Sequence, residues 1–336
     1  MEKRLIIHVG GHKTGSTYIQ RCCFAHRQRL EELGFSYPNL DDSFAHHGLG
    51  HELASILEGE KPRLWELLRQ HIRSTNFSTY LISSESMDRI SEVEIKLLSE
   101  LVSETGVDVE IVFLIRNQID CIESGALGSR RPKTFRLAND KRLELATQKL
   151  RHKFVGFYNV WANSFGRNNL RWQVYELAKP LLSSFFELIE FDPGKSLAEQ
   201  NGKINSRKDA RLVFILREFA KSLEATPTDV EFRIFLNQLY KIVDAKLEMK
   251  PFNGSIFDNA FRQKVCSYFL PFNVEAHEEL ARLTEHYFSP QRDLVQVTSF
   301  DTELTTNLTE TLNDSSPDSK LFKQFKSFLC SASIPT

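Results

Sequence analysis

Residues 8–20 read HVGGHKTGSTYIQ, and the types and spacing within them suit anion binding. Gly10 and Gly15 stand at the separation found in phosphate-binding loops of the pattern G-x-x-x-x-G-K-S/T, and Thr17 holds the hydroxyl position. The lysine of that pattern is replaced by Ser16, and Lys13 sits inside the loop instead. Backbone amides of a strand–loop–helix turn, with the positive end of the following helix, bind an anion without any side chain. Gly10, Gly11 and Gly15 allow the chain to curl closely around it, and Ser16 and Thr17 can add hydroxyl donors from the first helical turn. Lys13, at the crown, can reach the atom bridging two halves of the anion, where charge builds as a bond breaks. The plainer alternative is a strand-to-helix turn whose glycines serve packing only.

Other residues could complete such a site. Magnesium-dependent phosphate loops rely on an acidic residue closing a neighbouring strand. Here the apolar run VEIVFLIR closes in Arg116, so fixed cations rather than a metal are expected to hold the phosphate. Glu85, in ISSESMDR, closes another apolar run. A carboxylate half-buried in a cleft has a raised pKa and can accept a proton near neutrality; an ion pair with Lys13 or Arg116 is the alternative. His46, His47 and His51 fall in a polar stretch and offer a base or a substrate contact, but a zinc site would need a fourth ligand the pattern does not supply. Arg130, Arg131, Lys133 and Arg136 form a basic run, read either as a solvated loop or as cations for an acidic ligand.

These residues need a scaffold. RLIIHV (4–9) has the continuous apolar character of a buried parallel strand. A helix is expected over 16–33, a strand stub at 34–38, and a loop through the histidines. Helices are expected near 62–74 and 91–104, with strands at 79–85 and 108–117. A helix over 118–128 and a long amphipathic segment over 143–165 lead to a last strand in NLRWQVYEL. Strands alternating with helices predict an α/β fold, a central mainly parallel sheet flanked by helices. Ligands of such sheets lie beyond the carboxyl ends of the strands, where GGHKTGST, SSES and RNQID all fall. From about 195 the pattern turns helical (207–224, 228–247, 258–270, 274–287). The expected organisation is one domain over 1–300, with a nucleotide-binding core (1–178) and a mostly helical part (195–300), followed by a polar, loosely packed tail (301–336).

The chain has 336 residues, 41% of them hydrophobic, with 43 basic against 44 acidic side chains. That balance gives no signature of a nucleic-acid or membrane-surface partner. The run before the glycines is too short for a signal-peptide core, and no stretch of about 18 apolar residues follows. Cys22, Cys23, Cys121, Cys266 and Cys330 form no C-x-x-C pair and read as reduced thiols, so a cytoplasmic location is expected.

The segment His12-Lys13-Thr14-Gly15-Ser16-Thr17-Tyr18-Ile19-Gln20 resembles the phosphosulfate loop of the sulfotransferase family that uses 3′-phosphoadenosine 5′-phosphosulfate (PAPS). That family's pattern is close to Pro/His-Lys-Thr/Ser-Gly-Thr/Ser-Thr/Ser-x-Leu/Ile-Gln. Its second signature, a strand ending in Arg with Ser about eight residues on, is matched by Arg116 and Ser124. The resemblance covers about residues 4–178 and implies a P-loop NTPase-like sulfotransferase fold with a helical C-terminal half. It implies that Gly11, His12, Lys13, Thr14, Gly15, Ser16, Thr17 and Tyr18 contact the donor's 5′ end, that Arg116 and Ser124 bind its 3′-phosphate, and that Lys13 stabilises the leaving oxygen. Glu85 would be the base, as in the family's Glu-Lys-Ser/Thr segment, although Ser86 stands where that lysine would be. A sulfuryl group would then pass from PAPS to a hydroxyl or amine of a glycan or small metabolite, with no metal required. The family's C-terminal Arg-Lys-Gly segment is missing; the basic run, or Lys203 and Arg207, could substitute. A small-molecule or nucleotide kinase and a catalytically inactive nucleotide-binding module are the alternatives.

Overall fold

The computed structural model describes residues 3–11, 13–149, 153–175, 178, 180–194, 209–247, 254–274, 295–296, 299, 301–315 and 317–332. Contacts divide the chain into two compact units that interleave in sequence. The first takes residues 1–121, 147–206 and 269–287; the second takes 122–146, 207–268 and 288–336.

The first unit is an α/β layer structure. Its strands are β1 (Arg4–His8), β2 (Phe35–Ser36), β3 (Thr79–Ser83), β4 (Asp108–Ile115) and β5 (Leu170–Val174). All pair in parallel, in the order β2-β3-β1-β4-β5, so the glycine turn follows the central strand. Alternate residues of β1 serve opposite faces. Leu5, Ile7 and Val9 join a core with Leu68, Ile82, Phe113 and Trp161, while Ile6 joins Ile19, Cys23, Leu81, Val112 and Phe185. Burial on both faces explains why these strands read as continuous apolar runs.

The register sets the site. His8 pairs with Ser83 of β3 and Val112 of β4, so the chain leaves β1 and β3 at one level, while β4 runs three residues further, to Ile115, before Arg116. The amide of Ser84 donates to the His8 carbonyl (3.0 Å) and that of Val9 to the Val112 carbonyl (2.9 Å).

Several elements differ from the sequence expectation. The helix over 16–33 is two, Ser16–Ala25 and Arg27–Glu32, separated at His26, whose ψ of 17° leaves the helical range. The polar histidine stretch, expected as a loop, forms the helix His47–Leu57, with Leu49 and Leu53 buried one turn apart. Gly48 and Gly50 dilute its apolar periodicity, yet both are needed: a Cβ at Gly50 would stand 2.3 Å from Ser86 Oγ and one at Gly48 2.6 Å from Leu64 Cδ1. The segment over 143–165 is divided between the helices Asn139–Thr147 and Phe154–Phe165, and a helix that the sequence reading lacks, Leu181–Leu188, packs against the helix Ser16–Ala25.

The second unit is helical. Ala210–Ser222 and Asp229–Lys246 pack with two later helices, Thr302–Ser315 and Lys320–Ala332. The tail that composition presents as polar and loosely packed therefore forms helices, with Leu308, Leu312, Phe322, Phe325 and Leu329 fully buried. Phe235 lies 4.9 Å from Phe322, and Phe219 4.9 Å from Phe325, between ring centroids, so these phenylalanines fill a core. A capping box of Thr228 and Glu231 starts the helix Asp229–Lys246. The expected helix over 274–287 lies outside the described residues beyond Val274, as do Lys203 and Arg207.

Candidate functional site

Each glycine of the turn answers a specific steric demand. A Cβ at Gly10 would meet Ser16 Oγ at 2.5 Å, and one at Gly11 the Leu114 carbonyl of β4 at 2.5 Å. Gly15 has φ of 81°, and its Cβ would stand 2.4 Å from Leu181 Cδ2. Lys13, which is not glycine, also has positive φ, 70°. A left-handed backbone costs an L-residue about 1–2 kcal/mol, and such strain gathers at functional sites. Here it turns the exposed lysine outward at the crown of the loop.

The loop's hydroxyls divide by role. Thr14 Oγ1 donates to the Gly11 carbonyl (2.5 Å) and lies 3.2 Å from Ser16 Oγ, and both residues are buried. They brace the loop from within. Thr17 and Tyr18 are half-buried. The helix Ser16–Ala25 starts at Gly15 with no side-chain cap and no acidic residue in its first turn. Its leading amides have no intrahelical acceptor, the condition that makes a helix start bind anions. His12 lies outside the described residues.

Arg116 follows β4 and arrives at this loop. Its Nη1 donates to the Lys13 carbonyl (2.6 Å), and its guanidinium lies over the Tyr175 ring at 4.9 Å. The sequence reading missed Tyr175, although its place directly after β5 could have suggested it. Asn117, also missed, is buried and caps the next helix, its Oδ1 accepting from the Ile119 amide (3.0 Å). Asn at 117 with Asp at 120 was the available signal.

Glu85 opens a single 3₁₀ turn, Glu85–Arg89, directly after β3. Because Ser84 is bonded to His8, Glu85 comes beside Gly10: its Cγ would lie 3.4 Å from a Cβ there. The same turn holds Asp88, buried, which the sequence reading did not single out.

Two histidines support the site as neutral rings. His46 is buried; its Nδ1 accepts from the Ser83 amide (3.0 Å), which leaves Nε2 to donate to the Pro38 carbonyl (2.7 Å). Burial lowers its pKa. This clamp on the end of β3 makes His46 a positioning residue rather than a base. His8 is fully buried with its pKa lowered to about 3, and its Nδ1 lies 2.8 Å from Ser83 Oγ, which also accepts from Gln20 Nε2 (3.1 Å). His47 Nδ1 lies 3.4 Å from Ser84 Oγ, on the approach to Glu85, and His51 is exposed.

Ser124 belongs to the second unit, half-buried on the helix Gln118–Leu127, within which the chain passes from one unit to the other. Its neighbour Glu123 is buried and accepts from Ser255 Oγ (2.6 Å), the Ile256 amide (3.0 Å) and Arg262 Nη1 (3.3 Å). In the basic run, Arg136 donates to the carbonyls of Ala220 and Leu223 and to Thr226 Oγ1, each at 2.6 Å, while Arg131 pairs with Asp229 at 3.6 Å. Arg136 is thereby a structural staple of the second unit, while Arg131 makes an exposed surface pair.

Among the described residues, no group of three or more His, Cys, Asp and Glu side chains is placed to hold a metal ion, and no helix is long and apolar enough to cross a membrane. The chain matches no protein-family model, and no curated protein matches it. Among solved structures it is similar to a sulfotransferase from Alicyclobacillus acidocaldarius, with 10% sequence identity, a TM-score of 0.40, and coverage of 84% of this chain and 96% of that one.

Proposed function

We propose that the protein transfers a sulfuryl group from PAPS to a hydroxyl or amine of a small-molecule or carbohydrate acceptor. The observation that carries this reading is the 2.6 Å hydrogen bond from Arg116 to the Lys13 carbonyl. It draws the cations of two separate sequence signatures to one glycine turn, where a nucleotide with a phosphate at each end would need them.

The start of the helix Ser16–Ala25, with no side-chain cap and no acidic residue in its first turn, suits an anionic group of such a donor. The donor supplies an activated sulfuryl group, whose bond to the bridging oxygen breaks as the acceptor oxygen or nitrogen bonds to sulfur. Lys13 and the loop amides stabilise the charge that gathers on that bridging oxygen. Thr14 and Ser16 hold the loop in shape, while Thr17, Tyr18 and Gly11 are assigned to the 5′ end, as is His12 by the sequence pattern alone. Arg116, stacked on Tyr175, offers a planar fork suited to the 3′-phosphate. Ser124 is assigned to that phosphate by the sequence pattern alone. Glu85, beside Gly10, takes the proton from the acceptor.

The test is a thermal-shift titration with adenosine 3′,5′-bisphosphate against ATP with magnesium. Stabilisation grows with ligand concentration over Kd. The bisphosphate is expected to raise Tm and ATP–magnesium to have little effect; the reverse order sinks the reading in favour of a kinase.

A further inference from the structure

One buried hydroxyl gathers three elements of the first unit. Ser83 Oγ, at the end of β3, lies 3.1 Å from Gln20 Nε2 of the helix Ser16–Ala25 and 2.8 Å from His8 Nδ1 of β1. All three residues are at most 1% exposed. An amide nitrogen only donates, so Ser83 Oγ accepts from Gln20 and directs its own proton at His8 Nδ1. The bonds run in one direction, from Gln20 through Ser83 to His8.

Packing alone does not call for this amide. The helix Ser16–Ala25 already meets the sheet through Ile19 and Cys23, against Ile6 and Leu81. A buried amide costs free energy unless it is bonded, and an apolar side chain of the same length would fill the space. What the amide adds is direction. Apolar contacts are non-directional, whereas a hydrogen bond fixes one atom against another within narrow limits of distance and angle.

Both ends of the bond lead to the site. Gln20 lies on the helix that Gly15 starts, one turn after Ser16. Ser83 stands two residues before Glu85, and its backbone is held as well. Its amide donates to His46 Nδ1 (3.0 Å), and its carbonyl accepts from the His46 amide (2.9 Å) and from Gln20 Nε2 (3.4 Å). The next amide, that of Ser84, donates to the His8 carbonyl (3.0 Å). Ser84 Oγ accepts from the Ser86 amide (3.3 Å) and so caps the 3₁₀ turn that Glu85 opens. Hydrogen bonds and two residues of backbone thus connect the helix start to Glu85.

We propose that Gln20 is a positioning residue that ties Glu85 to the state of the glycine turn. An anion bound at the start of the helix Ser16–Ala25 steadies that helix, Gln20 passes the constraint to Ser83, and the turn Glu85–Arg89 tightens in consequence. The protein thereby holds its base firmly once the donor is in place. The identity of the anion and the role of Glu85 rest on the sulfuryl-transfer reading above.

The experiment is hydrogen–deuterium exchange on the full chain, with and without saturating adenosine 3′,5′-bisphosphate, in the wild type and in Gln20→Met. Methionine keeps the length of the side chain and removes its donors. In the wild type the bisphosphate is expected to slow exchange over residues 13–20 and, by about tenfold, over residues 84–89, the scale of one hydrogen bond. In Gln20→Met the slowing over 13–20 and the rise in Tm should persist, while the slowing over 84–89 is lost. Ser83→Ala removes the acceptor hydroxyl instead and should give the same pattern, so the test does not depend on one variant folding. A bond that served cohesion alone would speed exchange over 84–89 equally with and without ligand, leaving the ligand-dependent difference in place; that result overturns the inference. So does a wild type in which 13–20 responds and 84–89 does not. If the bisphosphate alters neither 13–20 nor Tm in the wild type, the donor reading fails, and this inference with it.

Discussion

The two ends of the central sheet handle positive charge in opposite ways. At the amino end, Arg4 meets Glu110 at 3.1 Å, and Arg171 meets Glu110 at 2.7 Å and Glu190 at 2.5 Å. Each guanidinium there faces a carboxylate of the same unit. At the carboxyl end, Arg116 is set by a carbonyl and an aromatic ring, and Lys13 is set by the backbone of the loop itself. At the carboxyl end a carbonyl and a ring help to orient the Arg116 guanidinium. The arginines at the amino end hold strands together, whereas under the proposed function the cations at the carboxyl end serve recognition.

The sharpest way to break this comparison is Lys13→Ala. A single donor aimed at developing charge is worth about 10²–10³ in turnover. A loss of that size in kcat, with bisphosphate binding retained, is expected from single-turnover kinetics. Near-normal turnover would reduce the carboxyl end to a binding surface.

Arg116→Ala should act on binding instead. A hydrogen bond to a charged group is worth about 1.5–3 kcal/mol, so the apparent KM for donor should rise roughly ten- to a hundredfold. The measurement is initial rate against PAPS concentration at saturating acceptor. An unchanged KM would mean that this arginine staples the loop, as those at the amino end staple the strands.

Much of this contrast was legible in the sequence. Lys13, Gly15 and Arg116 stand out because a glycine turn after an apolar run, and a second apolar run closing in arginine, are local patterns. What brings them together is register, His8 level with both Ser83 and Val112, and only strand order supplies that. The sequence showed apolar runs but not that β1 lies between β3 and β4. Thr14 and Ser16 read as ligand donors because hydroxyls beside glycines do; that they turn inward depends on the Gly11 carbonyl, a contact made by the loop's curvature. The helix His47–Leu57 escaped because its two glycines answer steric demands from Ser86 and Leu64, neither visible locally.

Beneath the carboxyl end the polar groups are kept neutral, and acid should expose this. Burial holds both His8, at about 3, and His46 below the ordinary 6.5. The unfolded chain then takes up protons first. The histidines' contribution is therefore intact above about pH 6.5 and is lost progressively as pH falls toward 3. By pH 5, His8 alone should account for about 2 kcal/mol. Denaturant unfolding at pH 7.5 and pH 5 measures the loss, and His8→Asn should reduce it by about that amount. An equal loss in the variant would mean that the ring already charges in the folded state.

The smallest effect belongs to the amino end, where Arg171→Met tests whether these charges are purely structural. Glu110, largely buried, keeps Arg4 at 3.1 Å when Arg171 is removed, so the variant does not orphan a buried carboxylate. The expected loss is that of two partly exposed pairs, together about 0.4–2 kcal/mol, a fall of roughly 1–8 °C in Tm for a unit of this size. The methionine keeps the apolar stem that covers the sheet edge, which confines the change to charge. Donor KM and kcat should match the wild type. If donor KM rose as it does for Arg116→Ala, charge at the amino end would be felt at the glycine turn, and the functional division between the two ends would fail.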